Sequence, residues 1–141
     1  MHRMFWGFAL MAVVGLAGCS WCERWSDNGA VTDGNGEVLE TMVTVKMTDN
    51  LRFVPERLTI DRGQTVEWKN ASDVVHTVTA MPERAVDRAH VRLPEGAVPF
   101  DSGTIQPGQT YRYTFTVPGL YRYFSIPHET TGMIGEVEVR D

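Results

Sequence analysis

The sequence contains very little cysteine. Its 141 residues include two cysteines, Cys19 and Cys22, and both lie near the N-terminus. Small secreted domains that depend on disulfides carry several bridges, so a disulfide framework is excluded. Cys22 has only the nearby Cys19 as a partner, which is too close for an easy bridge. We therefore expect Cys22 to have no structural role.

The sequence also lacks an excess of positive charge. Its 13 Lys and Arg residues are outnumbered by 18 Asp and Glu residues, which gives a formal net charge of −5. Nucleic-acid-binding proteins carry a basic patch or stripe, so we expect no nucleic-acid partner. The acidic balance suits a soluble domain, alone or docked to a basic partner. The length allows one compact domain with a leader and a tether.

A hydrophobic run long enough to span a membrane is absent as well. The apolar run from Met4 to Leu16 is too short for a transmembrane helix and ends in small residues, as a secretory signal peptide does. The sequence LAGC that ends at Cys19 resembles a bacterial lipobox, in which the cysteine becomes the lipidated first residue. We therefore expect residues 1–18 to be a lipoprotein signal peptide. Lipidated Cys19 would anchor the protein to an envelope membrane, on its periplasmic or cell-surface side.

The rest of the chain divides into a tether and one domain. Residues 19–40 are polar and rich in Gly, Asp and Asn, which predicts a flexible tether. From residue 41 to residue 141, short segments of alternating apolar residues are separated by turn signals. This spacing predicts an all-β domain, an antiparallel Greek-key β-sandwich of about seven to eight strands. Residues 74–79 are expected as one continuous strand, whereas residues 81–99 interrupt the pattern as a short helix or a surface loop.

One loop near the C-terminus gathers residue types that bind metals. The alternation of the preceding strand points Ser125 inward, and His128 and Met133 follow on the turn, so the three side chains can converge. His76, from a distant strand, is the fourth candidate. Imidazole suits copper and zinc, and a thioether selects copper, Cu(I) above all. The pattern therefore predicts a copper site with two histidines, one methionine and a hydroxyl.

The chain from about Met42 to Val139 resembles the cupredoxin family, and in particular its plastocyanin group. The ligand loop of that group has the form Tyr-x-Tyr/Phe-Tyr/Phe-Cys-x-Pro-His-x-x-x-Gly-Met-x-Gly-x-Val. This sequence matches it from Tyr121 to Val137 except at Ser125. Upstream landmarks follow in the same order: FVP at 53–55, GQTVEW at 63–68, HTVT at 76–79 and FDSG at 100–103.

The resemblance implies a copper cofactor, with His76, His128 and Met133 at the ligand positions and Ser125 in the place of the cysteine. A thiol loses its proton readily to a metal and is a soft donor. An alcohol hydroxyl is far less acidic and is a hard donor. Ser125 is therefore expected to be a weak ligand at most, and to form a hydrogen bond with a neighbouring backbone group instead.

Three interpretations of this departure remain open. In the first, the domain still binds copper through the remaining ligands and holds or passes it, with a copper-transfer or redox protein as partner. In the second, it is a metal-free scaffold for protein interaction. In the third, the serine is an introduced substitution in a blue-copper protein. Single-electron carriage, which the resembled family implies, is the closest alternative to the first. No nucleophile–base pair is evident, so we expect no enzyme.

Other polar residues receive simpler interpretations. Met81 and His90 are expected to be solvated loop residues rather than additional copper ligands. Glu129 and Asp101 are expected to be surface charges, because acidic side chains are rarely buried without a partner.

Overall fold

The computed structural model describes residues 31–32, 38–39 and 42–141. Short β-strands are the main secondary structure in these ranges. The strands in these ranges are β1 (Val31–Thr32), β2 (Val38–Leu39), β3 (Val43–Thr48), β4 (Arg52–Val54), β5 (Arg57–Asp61), β6 (Thr65–Asn70), β7 (Thr79–Ala80), β8 (Phe100–Asp101), β9 (Thr110–Thr114), β10 (Gly119–Phe124) and β11 (Ile134–Arg140). The predicted signal peptide and both cysteines lie outside the described residues. Of the predicted tether, the structure describes the antiparallel pair β1–β2.

Two sheets form a sandwich, with the strand orders β4-β3-β6-β9 and β5-β11-β10-β7-β8. The predicted all-β sandwich is therefore confirmed. Its sheets are mixed rather than purely antiparallel, because β3 pairs with β6 and β5 pairs with β11 in parallel. Two parallel neighbouring strands need a crossover connection. Between β3 and β6, and again between β5 and β11, the chain contributes at least one strand to the other sheet. Apolar alternation along a strand does not encode the direction of its neighbour.

Aromatic side chains from both sheets fill the core. Trp68 on β6 is fully buried, and its ring packs edge-on against Tyr123 on β10, with centroids 5.4 Å apart. Phe53 meets Tyr123 in the same way at 4.8 Å, and Phe115 meets Tyr121 at 4.8 Å. Because each ring buries roughly 150–250 Å², these contacts hold the sheets together and fix β10, the strand that leads into the C-terminal loop.

The β-branched segment around His76 differs from its prediction. Instead of one strand over residues 74–79, the structure has an isolated bridge between His76 and Ile105, followed by the short strand β7. The side-chain amide of Asn70 donates to the carbonyls of Val74 (2.7 Å) and Ile105 (3.0 Å). The prediction of a continuous strand was wrong because this side chain binds the backbone groups that a neighbouring strand would otherwise use.

Residues 81–99 form an irregular segment between β7 and β8. The segment contains two 3₁₀ turns, Pro82–Arg84 and Arg88–His90, and then runs beside β10, where Arg92 forms a bridge with Arg122. None of its side chains is fully buried. Within the described ranges, no helical segment has the length and apolar character needed to cross a membrane.

Candidate metal centre

The loop between β10 and β11 is closed by its own backbone hydrogen bonds. The N–H of Ser125 donates to the carbonyl of Met133 (3.1 Å), directly before β11. The N–H of His128 donates to the carbonyl of Ser125 (3.0 Å), and the N–H of Met133 donates to that of His128 (3.2 Å). Gly132 has a φ of 82°, which glycine adopts easily, and this lets the chain turn back towards β11. Three predicted site residues are thus held in one closed turn.

His76 joins this loop from a distant part of the chain. Its ring is fully buried and packs edge-on against the ring of His128, with centroids 4.9 Å apart. The next residue, Thr77, fastens the two segments together. Its N–H donates to Oγ of Ser125 (3.1 Å), and its Oγ1 accepts the N–H of Ile126 (2.8 Å). The structure therefore brings together the segments that carry all four predicted site residues.

Hydrogen bonds around Ser72 fix the proton of the His76 imidazole. Oγ of Ser72 lies 2.8 Å from Nε2 of His76 and 2.7 Å from Oδ1 of Asn70. The hydroxyl of Ser72 donates its proton either to Oδ1 of Asn70 or to the carbonyl oxygen of Val74 (3.1 Å). Both of these oxygens can only accept a hydrogen bond. Ser72 therefore offers the imidazole a lone pair, so Nε2 of His76 carries the proton and Nδ1 carries a lone pair.

Nδ1 of His76 is a buried acceptor that the described part of the protein leaves without a hydrogen-bond partner. Burial, together with the nearby His128, lowers the pKa of His76 from its ordinary 6.5 to about 4. The ring is therefore neutral at physiological pH. Leaving such a polar atom unsatisfied costs roughly 1–3 kcal/mol, and a bound metal ion would satisfy it.

His128 has the matching arrangement. Its Nε2 lies 3.1 Å from the carbonyl oxygen of Val75 and must donate to it, because a carbonyl only accepts. In the neutral ring, Nδ1 of His128 is then the nitrogen that carries the lone pair. Both imidazoles of the site thus have Nδ1 available as the donor atom for a metal. Metal-binding histidines are commonly held in this way, by a hydrogen bond from the other ring nitrogen.

Ser125 and Met133 are both fully buried in the loop. As expected for a small buried hydroxyl, Oγ of Ser125 binds a backbone group, the N–H of Thr77. The described ranges contain no cluster of three or more His, Cys, Asp or Glu side chains that could hold a metal ion. Beside the two imidazoles, the buried thioether of Met133 is the remaining soft donor that this loop could offer a metal ion. This neutral set of two imidazoles and a thioether fits copper, and Cu(I) best.

Ser72 was not identified from the sequence as part of the site, although a signal for it exists. An Asn followed two residues later by Ser marks a turn in which side chains bind the backbone. The N–H of Ser72 indeed donates to Oδ1 of Asn70 (3.0 Å). What the sequence does not reveal is that this turn also meets the His76 ring.

The prediction that Glu129 is a surface charge was wrong. Its side chain is 2% exposed, because its carboxylate accepts the N–H groups of Val86 (2.9 Å) and Asp87 (3.1 Å). His90 adds a third contact, with Nδ1 2.9 Å from Oε1 of Glu129, and is half-buried rather than solvated. Burial alone would raise the pKa of Glu129, but these hydrogen bonds outweigh it and lower the pKa below its ordinary value.

Asp101 is also less exposed than predicted. Its side chain is 15% exposed, pairs with Arg84 and accepts the hydroxyl of Thr79 (2.9 Å). Thr79 must then accept the hydroxyl of Thr77 (2.9 Å), since its own proton is used. A chain of hydroxyl groups therefore runs from Asp101 to Thr77, the residue that binds both Ser125 and Ile126.

Comparisons with known proteins agree with this geometry. Residues 39–140 match the family model described as copper binding proteins, plastocyanin/azurin family. The plastocyanin of Scenedesmus fuscus is 31% identical over 101 residues, which cover 70% of this chain and 99% of that protein. The plastocyanin minor isoform of Arabidopsis thaliana is 28% identical over 113 residues, which cover 78% of this chain and 63% of that protein.

Solved structures show the same fold. An oxidised amicyanin variant, 26% identical, aligns with a TM-score of 0.56 over 74% of this chain and 87% of its own. A copper-containing nitrite reductase from Thermus scotoductus, 30% identical, aligns with a TM-score of 0.61 over 79% of this chain and 25% of its own. Copper is the cofactor of the matched family, and the donor set of the loop fits it. The chain belongs to the plastocyanin/azurin family of copper-binding cupredoxins.

Proposed function

We propose that this protein binds copper through Nδ1 of His76, Nδ1 of His128 and the thioether of Met133, without a thiolate, and that it holds or passes copper. The observation that carries the proposal is the buried lone pair on Nδ1 of His76, which lies beside His128 and has no hydrogen-bond partner in the described part of the chain. Among the described residues, Nε1 of Trp68 and the hydroxyl of Tyr123 are also buried without a partner, but they lie in the hydrophobic core, whereas Nδ1 of His76 lies beside a second imidazole.

The residues around the ligands would prepare the site before copper arrives. Ser72 keeps the His76 proton on Nε2, and the carbonyl of Val75 does the same for His128, so neither imidazole has to change tautomer. Ser125 would be a poor ligand because its hydroxyl is a neutral, hard donor and already accepts the N–H of Thr77. Bound copper would supply a soft cation able to exchange one electron, and the thioether and neutral imidazoles favour its reduced form.

Single-electron carriage is the second candidate, and membership of the plastocyanin/azurin family favours it. The two candidates differ at Ser125. A blue-copper site uses a thiolate with two histidines, and Ser125 supplies a hydroxyl that is already hydrogen-bonded to Thr77. We therefore favour copper holding or transfer, without an enzymatic step, with a copper-transfer or redox protein as partner.

The proposed location is an envelope membrane. The lipobox-like sequence that ends at Cys19 supports a lipid anchor, and the polar residues that follow it would let the domain stand away from the bilayer. The single lipidated cysteine would place the copper site on the periplasmic or cell-surface side.

Competition of the purified protein with a chromophoric Cu(I) chelator tests the copper proposal. One Cu(I) should bind per chain. Replacing either ligand, in His128→Ala or Met133→Leu, should weaken binding by more than the roughly 10- to 100-fold that loss of an outer partner costs. Leucine keeps the volume of the buried methionine, so the fold should remain.

The matched control is Met42→Leu, because Met42 is exposed and distant in sequence from the loop. It should bind Cu(I) as the unmodified protein does. Equal binding by Met133→Leu and Met42→Leu would remove Met133 from the ligand set. No binding of copper by the unmodified protein would leave the metal-free scaffold as the function.

A further inference from the structure

Glu129 follows His128 directly, and its side chain leaves the loop to bind the irregular segment that precedes β8. Both carboxylate oxygens are used. Oε2 accepts the N–H of Val86 (2.9 Å), while Oε1 accepts the N–H of Asp87 (3.1 Å) and lies 2.9 Å from Nδ1 of His90. With 2% of the side chain exposed, these charge-assisted bonds are shielded from water. The carboxylate is therefore a strong and directional attachment.

The first half of that segment, residues 81–90, has few other attachments. None of its side chains is fully buried. The apolar residues of the segment that pack against the core come later, and they are Val91, Leu93 and Ala97. Arg84, which is one of residues 81–90, pairs with Asp101 and is 50% exposed, and Arg122 of β10 donates to the carbonyl of Ala89 (2.8 Å) and is 35% exposed. Exposed ion pairs hold a position weakly. Glu129 is thus the principal anchor of residues 81–90.

The anchor acts at the bend that orients His128. His128 has φ −127° and ψ 16°, which interrupt the 3₁₀ turn Ile126–Thr131. The carbonyl of Glu129 accepts the N–H of Gly132 (2.9 Å), so the backbone of Glu129 belongs to the loop while its side chain is held outside it. The loop therefore has an external fixed point one residue away from His128.

We propose that Glu129 is a positioning residue for His128, and that residues 81–90 are the support against which it works. This inference rests on the proposed function, because it takes His128 as a copper ligand. Removing the carboxylate would break the hydrogen bonds that hold residues 81–90 against the loop, and the backbone bend at His128 would lose its external support. The His128 imidazole then samples orientations in which Nδ1 does not face the ion, so a preformed ligand becomes a mobile one.

The test compares Glu129→Gln with the matched variant Glu67→Gln. Glu67 is a largely covered carboxylate, 14% exposed, and it pairs with Arg112 in the sheet that does not carry the loop. In the metal-free protein, amide hydrogen exchange at Val86 and Asp87 should accelerate about tenfold or more in Glu129→Gln. In the copper-bound protein, Cu(I) affinity should fall roughly 10- to 100-fold and the Cu(II) resonance spectrum should broaden. Glu67→Gln should change neither.

A second variant, His90→Ala, keeps Glu129 and removes one of its contacts. It can test the proposal if Glu129→Gln does not fold. It should change exchange and affinity in the same direction by smaller factors. The double variant should show less than the sum of the two effects, because both act on one network. Faster exchange with unchanged affinity and spectrum would make Glu129 a structural anchor only, and would overturn the proposal.

The failure of the proposed function can be told apart from the failure of this inference. If the unmodified protein binds no copper, the function falls, but the imidazole resonances of His128 in the metal-free protein still report its orientation. They should be sharp in the unmodified protein and averaged in Glu129→Gln. Equally sharp resonances in both proteins would contradict a positioning role.

Discussion

Ser72 and Val75 determine which nitrogen of each site histidine is free. The hydroxyl of Ser72 accepts a hydrogen bond from Nε2 of His76, and the carbonyl of Val75 accepts one from Nε2 of His128. Nδ1 keeps its lone pair in both rings as a result. The difference between the two partners matters, because a backbone carbonyl is always an acceptor. A serine hydroxyl is held in that role by its neighbour, the side chain of Asn70.

Replacing Ser72 with alanine should release the tautomer of His76. Nitrogen chemical shifts of the metal-free protein should show a single Nε2-protonated form for His76 in the unmodified protein and a mixture in Ser72→Ala. Cu(I) affinity should fall roughly 10- to 100-fold, as it does when outer partners of metal ligands are lost. Ser102→Ala is the matched control, because Ser102 accepts the backbone N–H of Val78 (2.8 Å) just as Ser72 accepts that of Val74 (3.3 Å). If both variants bind copper equally, Ser72 has no part in the site.

The residues of the candidate site could be named from the sequence, but their partners could not. Alternation along β10 and the resemblance to the family pointed to Ser125, and the structure finds it fully buried. Glu129 was wrongly predicted to be a surface charge because its donors lie 42 and 43 residues earlier in the chain, and no local sequence pattern indicates so distant a contact. A carboxylate is expected at the surface unless such donors are known.

Strands β10 and β11 carry the loop between them, so their pairing fixes its two ends. Tyr123 lies directly opposite Gly135 in this pair. The ring of Tyr123 covers the glycine so closely that a Cβ at position 135 would overlap it. The Tyr123 ring also packs against the rings of Trp68 and Phe53 in the core. Gly135 therefore makes room for a core ring next to the loop.

Adding one methyl group, in Gly135→Ala, should push the Tyr123 ring out of its place. Overpacking of this kind typically lowers the free energy of unfolding by about 1–3 kcal/mol. Denaturant unfolding of the metal-free protein measures it. In a Tyr123→Leu background, where the ring is gone, the same methyl group should cost clearly less. An equal cost in both backgrounds would mean that the loss does not come from contact with the ring.

The elements were predictable where local pattern alone decides them. Val43, Val45 and Met47 alternate with polar residues, and the structure has β3 over these positions. The direction of pairing was not predictable, because it depends on which sheet the chain visits next. The strand expected around His76 failed for a similar reason: the amide of Asn70 competes for the backbone, and propensity does not record that competition.

At the scale of the whole molecule, the described sandwich presents the candidate site where β10 leads into β11. The N-terminal region, with the predicted lipid anchor, lies outside the described residues. The formal charge of −5 suits a partner with a basic surface. The lipid anchor and the protein partner stay predictions. The anchor can be tested even though the partner is unknown.

Cys19→Ala should move the protein from the membrane fraction to the soluble fraction when the full chain is expressed in a bacterium that lipidates exported proteins. A lipid on Cys19 would supply the membrane affinity, and this substitution would remove it. Cys22→Ala is the matched control and should stay on the membrane, because Cys22 is expected to be idle. Equal membrane association of both variants would contradict the anchor at Cys19.

The central claim, copper held without a thiolate, is tested most directly by the visible absorption and electron paramagnetic resonance of the copper-loaded protein beside those of Ser125→Cys. The unmodified protein should bind one copper and show no intense thiolate-to-copper charge-transfer band. Ser125→Cys should gain that band, because a thiolate completes the two-histidine, one-methionine set. An intense band in the unmodified protein, or no copper bound by it at all, would contradict the account.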